Sequence, residues 1–174
     1  SEIVDLAVAA QRHSGCTISG SMDDCWASIS PGWKLIDPTQ SASKSVLLTG
    51  HIEEGHAVLI ILRGDRKEVS FDKFSEQSLL FERALSSLAN GSIFTSLSTN
   101  GMAVAAAIGD DEALRICNSA IASGAISAGI SGSGPAIAVI AFEEDATILE
   151  SHLLDTGYDV ISTIFAKKEI EEVI

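Results

Sequence analysis

Apolar positions near the start of the chain recur with a helical period and then change to a strand period. In EIVDLAVAAQRH, residues 2–13, one stripe predicts an amphipathic helix; its apolar side chains are Ile3, Val4, Leu6, Ala7 and Ala10. A shorter helix is indicated in SGSMDDCWASIS, residues 19–30, because Pro31 and Gly32 follow it. Three strand-like segments come next: WKLID at 33–37, SVLLTG at 45–50 and HAVLIILR at 56–63.

The helical period returns after residue 70. It predicts one helix in FSEQSLLFERALSSLANG, residues 74–91, and a second in SIFTSLSTNGMAVAAAIG, residues 92–109, whose small side chains allow close packing. DDEALRICNSAIAS, residues 110–123, predicts a third helix, with Asp110 and Asp111 suited to its positive N-terminal end.

The last third of the chain alternates strands with one helix. AISAGISGSGPAIAVIAF, residues 125–142, predicts two strands joined by a loop of small residues. ATILESHLLDTG predicts a helix ending at Gly157, and YDVISTIF a final strand. From residue 56 the order is close to a split βαβ pattern. We therefore expect an α+β sandwich with helices on one face of a mostly antiparallel sheet.

Composition narrows the function classes. The 174 residues suffice for one well-buried domain, or one domain with an appendage. No apolar run is long enough for a membrane helix, and no secretion signal is apparent, so a cytoplasmic location and no membrane partner are expected. The net charge of −13, with only 11 scattered lysines and arginines, argues against nucleic acid as a partner.

The cysteines and histidines show no metal-ligand pattern. Cys16, Cys25 and Cys117 have no such spacing, and the histidines form no cluster, so no protein metal site is predicted. Buried, reduced thiols are the expectation. The alternative is a catalytic thiol at Cys16, paired with His13.

Two segments could carry chemistry. The loop in GISGSGP, residues 129–135, is either a long hairpin turn or a phosphate loop, because its glycines allow backbone amides to approach an anion. It lacks the lysine and the following helix of the known nucleotide fingerprints. In residues 17–32, Asp23 and Asp24 either cap a helix or, since a serine could cap alone, serve another task.

These segments carry a family resemblance. GISGSGPAIAVI resembles the third motif of the GHMP small-molecule kinases, and SGSMDDCWAS before Pro-Gly is similar to the superfamily's active-site aspartate segment. Archaeal-type shikimate kinases have Ser/Thr-Gly-x-x-Asp-Asp-x-x-Ala-Ser, which residues 19–28 reproduce. Asn100-Gly101 before AVAAAIG and Gly124-Ala125 before the glycine loop belong to the same pattern.

The resemblance implies a fold and two domains. Residues 53–174 would form the GHMP C-terminal domain, a ferredoxin-like α/β sandwich. Residues 1–52, with the aspartate segment, would be the end of the N-terminal domain, which is like domain 2 of ribosomal protein S5. The triphosphate loop of the superfamily is missing from this chain, and Pro31-Gly32 stands where Gly-Gly is usual. An N-terminal portion, in cis or as a separate chain, is therefore an expected partner, and a homodimer is also compatible.

The resemblance also implies residue roles, with ATP and Mg²⁺ as cofactors. Asp24 falls at the catalytic position and would orient the acceptor hydroxyl or accept its proton. The substrate-binding positions would be Ser19, Gly20, Ser21, Asp23 and Asn100, and the positions near the ATP phosphates Ser131, Gly132, Ser133 and Gly134. Arg63, at a strand end, is the candidate partner for a substrate carboxylate, or else a solvated loop arginine.

The resulting hypothesis is ATP-dependent phosphorylation of the 3-hydroxyl of shikimate. Homoserine kinase is the enzymatic alternative, since its third motif is similar, although the double aspartate favours shikimate. A second alternative is a non-catalytic ferredoxin-like binding module whose glycine loop is structural. A partner chain with a phosphate loop would favour the enzyme, and a self-sufficient closed dimer would favour the module.

Overall fold

The computed structural model describes residues 1–15, 17, 20, 22–64 and 71–166. They form two compact units, one built on Ser1–Glu54 and the other on Gly55–Ile164. The assignment of residues 1–52 to the end of a GHMP N-terminal domain, and of residues 53–174 to a GHMP C-terminal domain, stays a prediction. No helix in the described part of the chain is long and apolar enough to cross a membrane.

The first unit contains three helices and a two-stranded sheet. Its elements are α1 (Glu2–Ser14), α2 (Asp23–Ile29), β1 (Trp33–Ile36), α3 (Ala42–Ser45) and β2 (Val46–Gly50). The strands pair in antiparallel register. Helix α1 ends at Gly15, whose φ of 69° is the left-handed conformation that glycine adopts at helix ends. The short α3 was not predicted, because four residues are too few to show a helical period.

The core of the first unit differs from the predicted stripe of α1. Val4 and Val8 are buried and pack with Met22, Cys25 and Ala42. Two members of the predicted stripe, Ile3 and Leu6, are each 71% exposed. Apolar side chains cover more of the surface of α1 than the side that it buries within this unit. Periodicity alone therefore did not identify the buried side.

The second unit is a four-stranded antiparallel sheet with helices. Its strands are β3 (His56–Leu62), β4 (Ser127–Ile130), β5 (Ile137–Phe142) and β6 (Asp159–Ile164), in the spatial order β4-β5-β3-β6. Its helices are a 3₁₀ segment (Phe71–Gln77), α4 (Ser78–Ala89), α5 (Ile93–Ala107), α6 (Asp111–Ala122) and α7 (Ala146–Leu154). This order is that of a split βαβ fold, so the predicted α+β ferredoxin-like sandwich is confirmed.

One face of this sheet forms the main core. Alternate residues of β3 and β5, such as Leu59, Ile61 and Val139, have no exposed surface. They pack against the apolar sides of α6 and α7, represented by Ile116 and Leu149. Strand alternation places these side chains on one face and their sequence neighbours on the other.

Helix α5 lies against the opposite side of β4, which corrects the expectation of helices on one face. The Cα of Gly101 lies 3.0 Å from the position a Cβ on Gly129 would take, so α5 covers the side to which Gly129 points. Ala128, the neighbour of Gly129 in β4, points instead into the main core, which contains residues of α6 and α7 and also Ala105 from the C-terminal part of α5. The long helical insertion between β3 and β4 thus supplies helices to both faces of the sheet.

Candidate functional site

The side chain of Asp24 lies in the first turn of α2 and is held from two directions. Its Oδ2 accepts a hydrogen bond of 2.8 Å from Nε2 of Gln11 in α1. Its Oδ1 accepts one of 2.8 Å from the backbone N–H of Cys25. The carboxylate is therefore exposed to solvent but fixed in orientation.

The two aspartates are not the N-cap of α2. The N-cap residue is Met22, which makes no side-chain cap hydrogen bond, and Asp23 and Asp24 follow it in the first turn. Both carboxylates are exposed, and there they interact favourably with the positive end of the helix. Capping thus accounts for neither residue, and the predicted roles of Asp23 and Asp24 stay predictions.

Gly20 is buried beside α1 in a conformation that requires glycine. Its φ is 67°, its N–H donates to Oγ1 of Thr17 at 2.9 Å, and its carbonyl accepts from Nη2 of Arg12 at 3.0 Å. A Cβ here would lie 2.6 Å from Nε of Arg12. The contacts give Gly20 a structural role. Ser19 and Ser21, the other predicted substrate residues of this segment, and Cys16 lie outside the described residues.

The glycine-rich loop is a closed hairpin connection between β4 and β5. The amide of Ser131 donates to the carbonyl of Ala136 at 2.8 Å, and the amide of Gly134 donates to Ser131 at 2.9 Å. Gly132 and Gly134 have φ values of 56° and 80°, which an L side chain rarely adopts. The hairpin interpretation is therefore confirmed for the backbone path.

The tip of this loop still presents groups that could bind an anion. Ser131 and Gly132 are exposed and Ser133 is half-buried. Within the described part of the chain, the amides of Gly132 and Ser133 and both serine hydroxyls have no hydrogen-bond partner. Successive unpaired N–H groups at a turn favour negatively charged oxygens. The hairpin is thus compatible with a phosphate-binding role as well.

Arg63, at the end of β3, is engaged inside the protein. Its guanidinium forms a two-pronged ion pair with Asp110, with Nη1 3.0 Å from Oδ1 and Nη2 in contact with Oδ2. Its Nε donates to the carbonyl of Pro135 at 2.8 Å. The side chains of Arg63 and Asp110 are only 6% and 4% exposed. Arg63 is therefore not a solvated loop arginine, and its guanidinium faces Asp110 and Pro135 in this structure rather than a substrate carboxylate.

Asp110 has a second function, which the sequence indicated. It is the N-cap of α6, and its side chain accepts from the amide of Ala113 at 3.1 Å. The same carboxylate thus satisfies a helix end and neutralises a buried arginine, and hydrogen bonding to it raises the pKa of Arg63. Two further side chains lie at the edge of this ion pair. Oε2 of Glu112 lies 3.5 Å from Nη1 of Arg63 and accepts a hydrogen bond from the hydroxyl of Tyr158.

Asn100 and Gly101, which form one part of the resemblance, have separate environments. Asn100 is exposed on α5 and, within the described residues, makes no side-chain contact that would fix it. Gly101 is buried, and a Cβ on it would lie 2.6 Å from the Cα of Gly129. Gly101 therefore serves close helix-to-strand packing, whereas the predicted substrate role of Asn100 stays a prediction.

Neither thiol that the structure describes is poised for chemistry. Cys25 and Cys117 are buried and free. Burial raises the pKa of both, that of Cys117 to about 11, and Asp24 adds to the effect at Cys25. Among the described residues, no three His, Cys, Asp or Glu side chains are grouped so that they could hold a metal ion. The expected buried, reduced thiols are confirmed for these two cysteines.

Comparison with known proteins identifies the fold of the second unit. Residues 80–159 match the family model described as GHMP kinases C terminal. This range includes α5, α6 and the glycine loop. No curated protein matches the chain by sequence.

Solved structures show the same fold at low sequence identity. Mevalonate diphosphate decarboxylase from Staphylococcus aureus is 10% identical with a TM-score of 0.56, over 95% of this chain and 58% of that one. A phosphotransferase related to the CoA biosynthesis pathway is 14% identical with a TM-score of 0.54, over 70% of this chain and 42% of that one.

A third structure, MDDEF in complex with MVAPP, AMPPCP and magnesium, is 16% identical with a TM-score of 0.53, over 93% of this chain and 58% of that one. The chain thus spans between 42% and 58% of the lengths of these three proteins. With the family match and the split βαβ sheet, these likenesses show that the chain contains a GHMP kinase C-terminal fold.

Proposed function

We propose that this chain provides the C-terminal part of a GHMP-type small-molecule kinase, with ATP as phosphoryl donor and shikimate as acceptor. The observation that carries the proposal is the glycine loop: it lies within the matched range of residues 80–159 and presents unpaired amides at its tip. The coverage of the solved structures supports a further portion of the kinase, supplied in cis or by a separate chain.

The loop is the part suited to nucleotide phosphates. Phosphoryl transfer depends on placing charged oxygens and neutralising them, more than on covalent chemistry by the protein. The amides of Gly132 and Ser133 and the hydroxyls of Ser131 and Ser133 offer donors for such oxygens. This chain places no lysine or arginine at the loop tip, from Ser131 to Gly134, so the remaining charge must be met elsewhere in the complete enzyme.

Magnesium, when bound with ATP, would neutralise charge on the transferred phosphoryl group. The described residues contain no three-ligand acidic cluster. Asp23 and Asp24 are adjacent carboxylates and have oxygen ligands of the type that magnesium prefers. Their contribution here would be one or two oxygens, with water among the other ligands.

Asp24 is the candidate for positioning the acceptor hydroxyl. Its Oδ2 is held by Gln11 and its Oδ1 by the amide of Cys25, so the carboxylate is restrained before the substrate arrives. An oriented carboxylate can accept the proton of an attacking hydroxyl as the new bond to phosphorus forms. Asp23, also exposed, would contact neighbouring hydroxyls of the acceptor.

The choice of shikimate rests on the resemblance of the Asp23-Asp24 segment alone. Shikimate also carries a carboxylate, and the engagement of Arg63 with Asp110 means that another cation has to bind it. Homoserine is therefore included in the test as the competing acceptor, which a homoserine kinase would phosphorylate.

The test is a coupled ATPase assay with shikimate or homoserine, using the complete protein or this chain mixed with a candidate N-terminal portion. We expect turnover of shikimate that falls by about a hundredfold or more in Asp24→Asn, within the usual range for loss of an acid–base group. Asp155→Asn, an exposed aspartate at the end of α7, is the matched control and keeps the activity. No turnover of either substrate by an assembled protein would favour a non-catalytic module.

A further inference from the structure

A buried ion pair connects three elements of the second unit at the base of the glycine loop. Arg63 stands at the end of β3, Asp110 caps α6, and Pro135 ends the loop that precedes β5. Nε of Arg63 reaches the Pro135 carbonyl while both Nη atoms face the carboxylate of Asp110. One guanidinium thus bonds to the loop and to the helix cap at once.

The arrangement uses the geometry that distinguishes arginine from lysine. The planar guanidinium has donors on separate edges, so a two-pronged contact to a carboxylate leaves Nε for a third acceptor. A lysine ammonium at the same place could neutralise Asp110 but could not keep all three contacts in plane. The low exposure of Arg63 and Asp110, 6% and 4%, means that water does not compete for these donors.

The loop has internal bonds of its own, and the amides that make them exchange with solvent when the hairpin end opens. The amides of Ser131 and Gly134 close the turn onto Ala136 and Ser131, within the hairpin. They do not connect the hairpin end to β3 or α6. Beside the strand pairing of β5 with β3, which begins at Ile137, the bond from Nε of Arg63 to the carbonyl of Pro135 is a side-chain contact that makes this connection.

We infer that Arg63, held by Asp110, is a positioning residue that fixes the glycine loop relative to β3 and α6. Its consequence for the enzyme rests on the proposed function: a loop held in place offers its amides to the nucleotide phosphates at lower conformational cost. Loosening the loop should then weaken nucleotide binding more than it slows the chemical step.

The experiment measures hydrogen exchange and kinetics on the complete protein carrying Arg63→Lys. We expect the Ser131 and Gly134 amides to exchange about tenfold faster or more, while those of Leu59 and Val139 in the sheet keep their protection. The KM for ATP should rise by about fivefold, with kcat changing by less than about twofold. Arg83→Lys is the matched control, because Arg83 is an exposed arginine on α4.

A second variant covers the case in which Arg63→Lys fails to fold. Asp110→Asn keeps a residue that caps helices well but removes the charge that holds the guanidinium, so the same amides should lose protection. Unchanged protection of Ser131 and Gly134 in a folded variant would overturn the inference. Faster exchange with an unchanged KM for ATP would uphold the positioning role and refute the nucleotide role of the loop.

Discussion

Nε2 of Gln11 in α1 donates a 2.8 Å hydrogen bond to Oδ2 of Asp24 in α2. The Oε1 atom of the same amide is buried and has no hydrogen-bond partner among the described residues. The orientation of this amide is therefore set by the carboxylate, since the opposite orientation would place two acceptors against each other. The carboxylate is oriented in turn, which links α1 to the proposed chemistry.

Replacing Gln11 tests this link. Gln11→Ala removes a hydrogen bond to a charged group, and we expect a loss of about 1 kcal/mol in transition-state stabilisation, or roughly fivefold in kcat. Gln11→Glu, which is nearly isosteric, should cost more because two carboxylates would face each other. The readout is kcat against KM for the acceptor, with Gln77→Ala as control. An unchanged kcat in both Gln11 variants would contradict the positioning of Asp24 by Gln11.

The contact between Gly101 and Gly129 predicts a large packing effect. A Cβ on Gly101 would lie 2.6 Å from the backbone of Gly129, so α5 must move away from β4 in Gly101→Ala. We expect the free energy of unfolding to fall by about 1 to 3 kcal/mol, as for other overpacked sites. Gly64→Ala is the control, because no atom of the described residues lies within 4 Å of its Cβ position. Equal stability of the two variants in denaturant unfolding would contradict the close packing.

Asp110 should be far more important for stability than its neighbour Asp111. Asp110→Ala leaves the guanidinium of Arg63 buried without its counter-ion and removes the cap of α6, so we expect a loss of about 3 to 5 kcal/mol. Asp111→Ala, in the exposed first turn of the helix, should cost less than about 1 kcal/mol. Denaturant unfolding of both variants makes the comparison, and a similar loss in each would refute the buried pair.

The thiol of Cys117 predicts a loss of stability at alkaline pH. Its pKa is about 11 in the folded protein, whereas an unfolded cysteine titrates near about 8.5. The protonated thiol therefore contributes about 3 kcal/mol to the free energy of unfolding, and this contribution is fully present below about pH 8.5. It decreases as the pH rises and is lost above the folded pKa. In Cys117→Ala, the free energy of unfolding should fall less steeply over this pH range, and an unchanged slope would contradict the prediction.

Much of the fold could be predicted from the sequence, because most elements, though not the short α3, have a clear period or a clear stop. Strand β3 alternates buried and half-buried residues, and Gly15 and Asp110 mark helix ends. The side of β4 that α5 covers could not be predicted, since it depends on the contact between Gly101 and Gly129. Exposure of Ile3 and Leu6 was missed for a similar reason: periodicity does not tell which apolar positions find a partner.

The candidate site could be predicted only in part. The aspartates and the glycine loop stand out because their residue types are unusual between apolar segments. Gln11 and Arg12 gave no signal, since polar residues near the end of an amphipathic helix are expected on its solvent side. Arg63 and Asp110 are 47 positions apart, and no local sequence pattern reveals that they pair. From the sequence alone, a substrate carboxylate is therefore the expected partner of Arg63.

The measurement that tests the central claim most directly is ³¹P NMR of the complete protein incubated with ATP, Mg²⁺ and shikimate. The account predicts a new phosphate-monoester signal and ADP in equal amounts, both formed more slowly with Asp24→Asn, by about a hundredfold or more. ATP that remains intact with shikimate and with homoserine, in a folded protein with its N-terminal portion present, would contradict the assignment as a kinase.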